Sequence, residues 1–185
     1  METVSTIGHS NRTIEEFIAL LRQNHIACVL DIRTVPKSRH NPQFGQDQLP
    51  RSLSEAGIDY RYFAGLGGLR RPRPDSPNGG WRNTSFRGYA DYMQTAEFAQ
   101  NVDAVAALAQ TTRCALMCAE AVPWRCHRSL VADALLVRGI AVEEIIGPQA
   151  PKPHKLTSFA RVDGGRISYP PETARQDEAQ GSLPF

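Results

Sequence analysis

The stretch LMCAEAVPWRCHRSL, residues 116–130, gathers Cys118, Glu120, Cys126, His127 and Arg128 between an apolar run of strand length and a helical pattern. A strand that ends just before a helix N-terminus lies in positive potential, which favours thiolate at Cys118 and binds anions. A buried, inert cysteine ending a core strand is the simpler account of that residue alone. Glu120, two positions past the strand and followed by Arg125, His127 and Arg128, is a candidate general acid or base, or one half of a structural ion pair. His127 and Arg128 fall in the first helical turn, where the macrodipole disfavours cations. That local conflict points to a site.

Two further stretches carry chemistry. In GHSNR (8–12), Gly8 gives backbone access and Ser10 suits a helix start, while His9 has no such structural reason to be there. In DIRTVPKSRH (31–40), Arg33 and Arg39 are candidates for holding phosphate or carboxylate, beside Asp31, Lys37 and Ser38. A zinc site would use Cys118, Cys126 and His127, with His9 as a fourth ligand. Adjacent Cys126 and His127 are not spaced to converge and no C-x-x-C occurs, so no metal is expected, and no motif specifies a cofactor.

The elements that must position these residues follow from periodicity. TVSTI (3–7), ACVLDI (27–32), IDYRYF (58–63), CALMC (114–118) and AVEEII (141–146) read as five strands. Helical patterns lie between them: Thr13 and Glu16 form a capping box before Ile14, Phe17, Ile18 and Leu21, and Asp47 to Ala56 closes at Gly57. Residues 89–109 and the segment Leu130 to Val137, closed by Gly139, are also helical. This alternation predicts an α/β domain over 1–147, a mainly parallel sheet of about five strands with helices on both faces. The Gly8, Arg33 and Cys118 loops then emerge together at the carboxyl ends of the strands, where such sheets bind ligands. The Gly, Pro and Arg-rich stretch 65–88 reads as a long loop beside the site, and 148–185 as an extended or disordered tail.

Net charge is only +2, but residues 33–90 hold ten basic side chains against four acidic ones, and nearly all of the ten are arginines. An arginine-dominated patch predicts an anionic partner. Four cysteines, no signal-like N-terminus and no membrane-length apolar window predict a cytoplasmic protein with reduced thiols and no membrane partner.

The motifs TIGHSN (6–11), LDIRTVPKSR (30–39), GLGG (65–68) and LMCAEAVPWRCHR (116–128), in this order, resemble the family catalogued as domain of unknown function 488. The resemblance implies a small α/β domain and brings no established activity. It marks His9, Ser10, Asp31, Arg33, Cys118, Glu120, Cys126, His127 and Arg128 as motif positions. A fainter likeness to rhodanese domains rests on LDIR and LMC. It fails in the loop, because a C-x5-R signature needs arginine at Trp124, whereas Arg125 stands one place late, and Met117 occupies the position of that signature's histidine.

The expected function is an enzyme, hydrolase-like, acting on a nucleotide or nucleic acid. Glu120 and His9 are the acid/base candidates, and Arg33, Arg39 and Arg128 hold phosphate, since arginines grip backbone while interleaved aromatics such as Phe44, Trp81 and Phe86 stack on bases. Two alternatives remain open: sulfur transfer or phosphatase-like chemistry at Cys118, and a non-catalytic nucleic-acid-binding module.

Overall fold

A computed structural model describes residues 2–172. Five strands run parallel: β1 (Thr3–Gly8), β2 (Cys28–Asp31), β3 (Asp59–Tyr62), β4 (Cys114–Cys118) and β5 (Ala141–Ile145). A short sixth, β6 (Lys152–Pro153), pairs antiparallel with β5, and the sheet order is β3-β2-β4-β1-β5-β6. Side chains alternate across the sheet, as a strand period of two requires. Val29, Ala115 and Met117 face one core with Phe17, Leu21, Leu49 and Leu53, supplied by helices α1 (Ile14–Gln23) and α2 (Leu49–Glu55). Cys28, Leu30, Cys114, Leu116 and Cys118 face the other. There α3 (Thr84–Tyr92), α4 (Ala96–Ala109) and α5 (Arg128–Val137) pack. Each fully buried leucine or phenylalanine in these layers stabilises the fold by about 1.5–3 kcal/mol.

Local chemistry sets the element ends. Thr13 accepts from the Glu16 N–H at 3.1 Å while the Glu16 carboxylate accepts from the Thr13 N–H at 2.9 Å, the capping box read in the sequence. The single helix expected over 89–109 is two. Asn83 caps the N–H groups of Ser85 and Phe86, so α3 begins inside the expected 65–88 loop. Thr95 caps Phe98 N–H and starts α4 afresh. Among the described residues no helix is long and apolar enough to cross a membrane, and the four cysteines form no disulfide.

The segment after Gly147, up to residue 172, packs onto the domain rather than trailing from it. Residues 173–185 of the expected tail lie outside the described residues. Beyond β6 the chain forms a hairpin, β7 (Arg161–Asp163) with β8 (Arg166–Ser168), and inserts Tyr169 into the core. Its anchor is Asp133, a carboxylate wholly buried in α5. Asp133 accepts from His154 at 2.9 Å, the Thr157 N–H at 3.1 Å and the Tyr169 hydroxyl at 2.8 Å. Tyr169 in turn donates its N–H to Asn78 and accepts from the Gly80 N–H, which pins the 65–88 segment.

Burial opposes charge on His154, but its hydrogen bonds to Asp133 and Glu144 prevail and hold its pKa up at about 9, above the usual 6.5. A raised histidine pKa contributes stability fully below pH 6.5 and loses it as pH climbs through 9. Between pH 6.5 and just above 9 the protein should therefore lose on the order of 3 kcal/mol more stability than His154→Gln. Urea midpoints across that range would check this, and equal slopes in the two proteins would refute it.

Candidate functional site

The carboxyl ends of β1, β2 and β4 meet in one place because β1 and β4 touch backbone to backbone. Gly8 stands opposite Cys118, and a Cβ built on Gly8 would lie 1.7 Å from the Glu120 carbonyl oxygen. His9 N–H donates to Cys118 O and Ser10 N–H to Ala119 O, each at 2.9 Å. Two guanidinium groups lock the loops from behind. Arg12 bonds the carbonyls of Gly8 and Ile146, and Arg128 those of Glu120 and Ala121.

Arg128 therefore does not occupy the place expected of a phosphate ligand. It has no exposed surface and does not line the cleft, and the partial negative charge of loop carbonyls is what offsets its position at a helix N-terminus. Arg39 is exposed and also outside the cleft lining. Ser10 takes a left-handed φ of 50°, and its hydroxyl reaches Asn11 rather than the cleft.

His9, Arg33, Cys118, Glu120, Cys126 and His127 do come together, around a cleft of about 410 Å³ bordered by Gly68, Leu69 and Phe86 from the 65–88 region. At its base Asp31 holds Arg33 through two bonds of 2.9 and 2.6 Å and also accepts from the Tyr60 hydroxyl at 2.8 Å. Arg33 donates onward to Phe44 O at 2.8 Å and lies 3.3 Å from His9 Nε2. His9 Nδ1 is 2.8 Å from the Ser10 carbonyl, which only accepts, so Nδ1 carries the proton and Nε2 accepts from Arg33. Stacked 4.4 Å from the Phe44 ring, His9 is buried, and that burial with the Arg33 charge lowers its pKa to about 4, against the Ser10 hydrogen bond. A neutral imidazole with both nitrogens engaged orients Arg33. The Glu120 side chain is exposed on the cleft wall and makes no hydrogen bond or ion pair among the described residues.

The second feature of the cleft is a sulfur and imidazole cluster. His127 Nε2 donates to Ile32 O at 3.0 Å, which turns the Nδ1 lone pair toward Cys126 Sγ at 3.7 Å and Cys118 Sγ at 3.9 Å. Cys126 is extended (φ −138°, ψ 144°) and His127 already helical (φ −57°, ψ −16°), so neighbours in sequence aim at one point. Gly68 is close because no side chain fits, a Cβ there lying 2.4 Å from Nδ1. The first amide of α5, that of Arg128, donates to Cys126 Sγ at 3.5 Å. The thiolate stabilisation expected at Cys118 accordingly falls on Cys126. A hydrogen bond from Cys118, then the Arg128 charge, outweigh burial and lower the Cys126 pKa to about 7, while Cys118 is pushed up by the same bond and by burial.

Sequence reasoning missed Arg12 as a loop clamp and Asp133 as an anchor. Neither breaks a pattern: Arg12 reads as a helix-start polar residue, and Asp133 as an exposed position that the arm later covers.

The remaining charge at the cleft is unequal. Asp31 neutralises Arg33 from beneath, leaving Lys37 and Arg125 facing the single carboxylate of Glu120. Two of the large exposed apolar side chains border the cleft. Val35 and Leu69 line the cleft, and Trp124, 66% exposed, adjoins Arg125. Comparison with known proteins gives one family model, Domain of unknown function DUF488, matching residues 13–135. No curated protein and no solved structure gives a significant match.

Proposed function

The chain belongs to the DUF488 family, and we propose that it is an enzyme that hydrolyses a nucleotide or single-stranded nucleic acid in this cleft. The observation that carries the reading is the lining itself. Lys37 and Arg125 exceed the one carboxylate, Phe86 borders the space, and Trp124, next to Arg125 in the chain, is exposed. Cations attract phosphate and aromatic faces stack on bases, whereas an apolar metabolite would need neither. Glu120 moves the proton, because it is the one cleft carboxylate free to do so and His9 stays neutral with both nitrogens occupied.

A panel of nucleotides and single-stranded oligonucleotides, assayed for binding and cleavage over a salt series, tests the proposal. Glu120→Gln should slow turnover by about 10²–10⁴-fold with affinity nearly intact. Lys37→Ala with Arg125→Ala should weaken binding and flatten its salt dependence by about two phosphate contacts. Turnover by Glu120→Gln at the parent rate would sink the catalytic assignment. Salt-sensitive binding without turnover by the parent protein would instead make the protein a non-catalytic binding module.

A further inference from the structure

We infer that Cys118, Cys126 and His127 form a binding site for one soft divalent ion of the zinc class, with a fourth coordination position open to the cleft. The ligand atoms, two Sγ and one Nδ1, all lie within 4.8 Å of one another. In a tetrahedral site with Zn–S of about 2.3 Å and Zn–N of about 2.05 Å, sulfur and nitrogen are about 3.6 Å apart. The observed 3.7 and 3.9 Å fall close to that separation.

The surroundings fit a metal ligand set better than a chance cluster. Ligating histidines donate their second ring N–H to an oxygen that fixes tautomer and ring plane, as His127 Nε2 does to Ile32 O. The Arg128 amide supports Cys126 Sγ, and Gly68 leaves the imidazole room. Two thiolates balance the charge of a divalent ion, and thiolate with imidazole selects zinc-like ions over magnesium or calcium. All three ligands line the cleft, so the open position faces Glu120 and the basic rim, where a zinc-bound water would titrate near pH 7. Binding does not depend on the hydrolytic reading. Only the ion's role as activator of that water rests on it.

The test uses the full-length, reduced, chelator-treated protein titrated with Co²⁺ and then Zn²⁺. One equivalent of Co²⁺ per chain should give a thiolate-to-cobalt charge-transfer band together with tetrahedral d–d bands, both abolished by Zn²⁺ and untouched by Mg²⁺. Cys118→Ser, Cys126→Ser and His127→Asn should each weaken binding by more than about 100-fold, since loss of a mere supporting partner already costs 10–100-fold. Cys28→Ala, which changes a core cysteine outside the cleft lining, should bind as the parent does. Because a ligand variant can misfold, alkylation of the parent gives a second reading, in which Zn²⁺ should protect Cys118 and Cys126 and leave Cys28 and Cys114 unaffected. Absence of the charge-transfer band, or Zn²⁺ that protects neither cysteine, overturns the inference. Metal binding with no turnover on any nucleotide would leave the site standing and remove the hydrolytic reading.

Discussion

Asp31→Ala should cost the fold about 3–5 kcal/mol, a large share of what a domain of this size possesses. Asp31 is fully buried and Arg33 only 5% exposed, so removing the carboxylate strands a guanidinium at the base of the cleft with one carbonyl and a neutral imidazole for partners. The Tyr60 hydroxyl loses its acceptor as well. The loss is of pairing rather than of volume, which a double variant separates. Asp31→Leu with Arg33→Met removes both charges and should recover much of the stability, whereas either single change should not. Urea unfolding of the three proteins decides it, and a loss below about 1 kcal/mol in Asp31→Ala would show that water reaches the pair and screens it.

Gly8→Ala should be at least as damaging, for a steric reason. The added methyl would lie 1.7 Å from Glu120 O, 2.5 Å from Glu120 C and 3.0 Å from Ala121 Cα, all of them backbone atoms held by the Arg128 clamp. No rotamer relieves that, so the β1 end and the Cys118 loop must separate, at a cost above about 3 kcal/mol. Gly57→Ala is the proper control. Gly57 has φ of +76° and open space around it, so alanine there meets only the left-handed backbone penalty of about 1–2 kcal/mol. Thermal midpoints should fall by at least about 8 °C in Gly8→Ala and by clearly less in Gly57→Ala. Equal shifts would mean that the strand ends adapt more easily than their backbone contact implies.

Five of the sheet's six strands were legible because apolar runs, alternation and turn residues mark them, and the first helix because Thr13 and Glu16 cap it reciprocally. The division between α3 and α4 was not, since Thr95 sits in an otherwise continuous helical pattern and acts only through one bond to Phe98 N–H. The docking of the arm was equally hidden. Its anchors are the single residues His154, Phe159, Ile167 and Tyr169, which make no period. At the site, residue type drew attention to His9, Cys118, Glu120 and His127, which line one cleft, whereas spacing did not foretell how the side chains meet. Adjacency of Cys126 and His127 argued against convergence until the turn between extended and helical backbone brought both side chains to Cys118. Arg128 likewise drew notice for its unusual position, and the loop carbonyls that explain it are invisible in a linear reading.

The Asp133 anchor bears on the order in which the molecule can be completed. A ribosome releases the chain from its N-terminus, so β1 to β5 and α1 to α5 emerge before His154, Thr157 and Tyr169 do. Until then the nascent domain carries a carboxylate in the middle of α5 with none of these partners, and Asn78 and Gly80 await the backbone of Tyr169. Docking of the arm thus covers the Asp133 carboxylate and, through Tyr169, pins the loop that flanks the cleft.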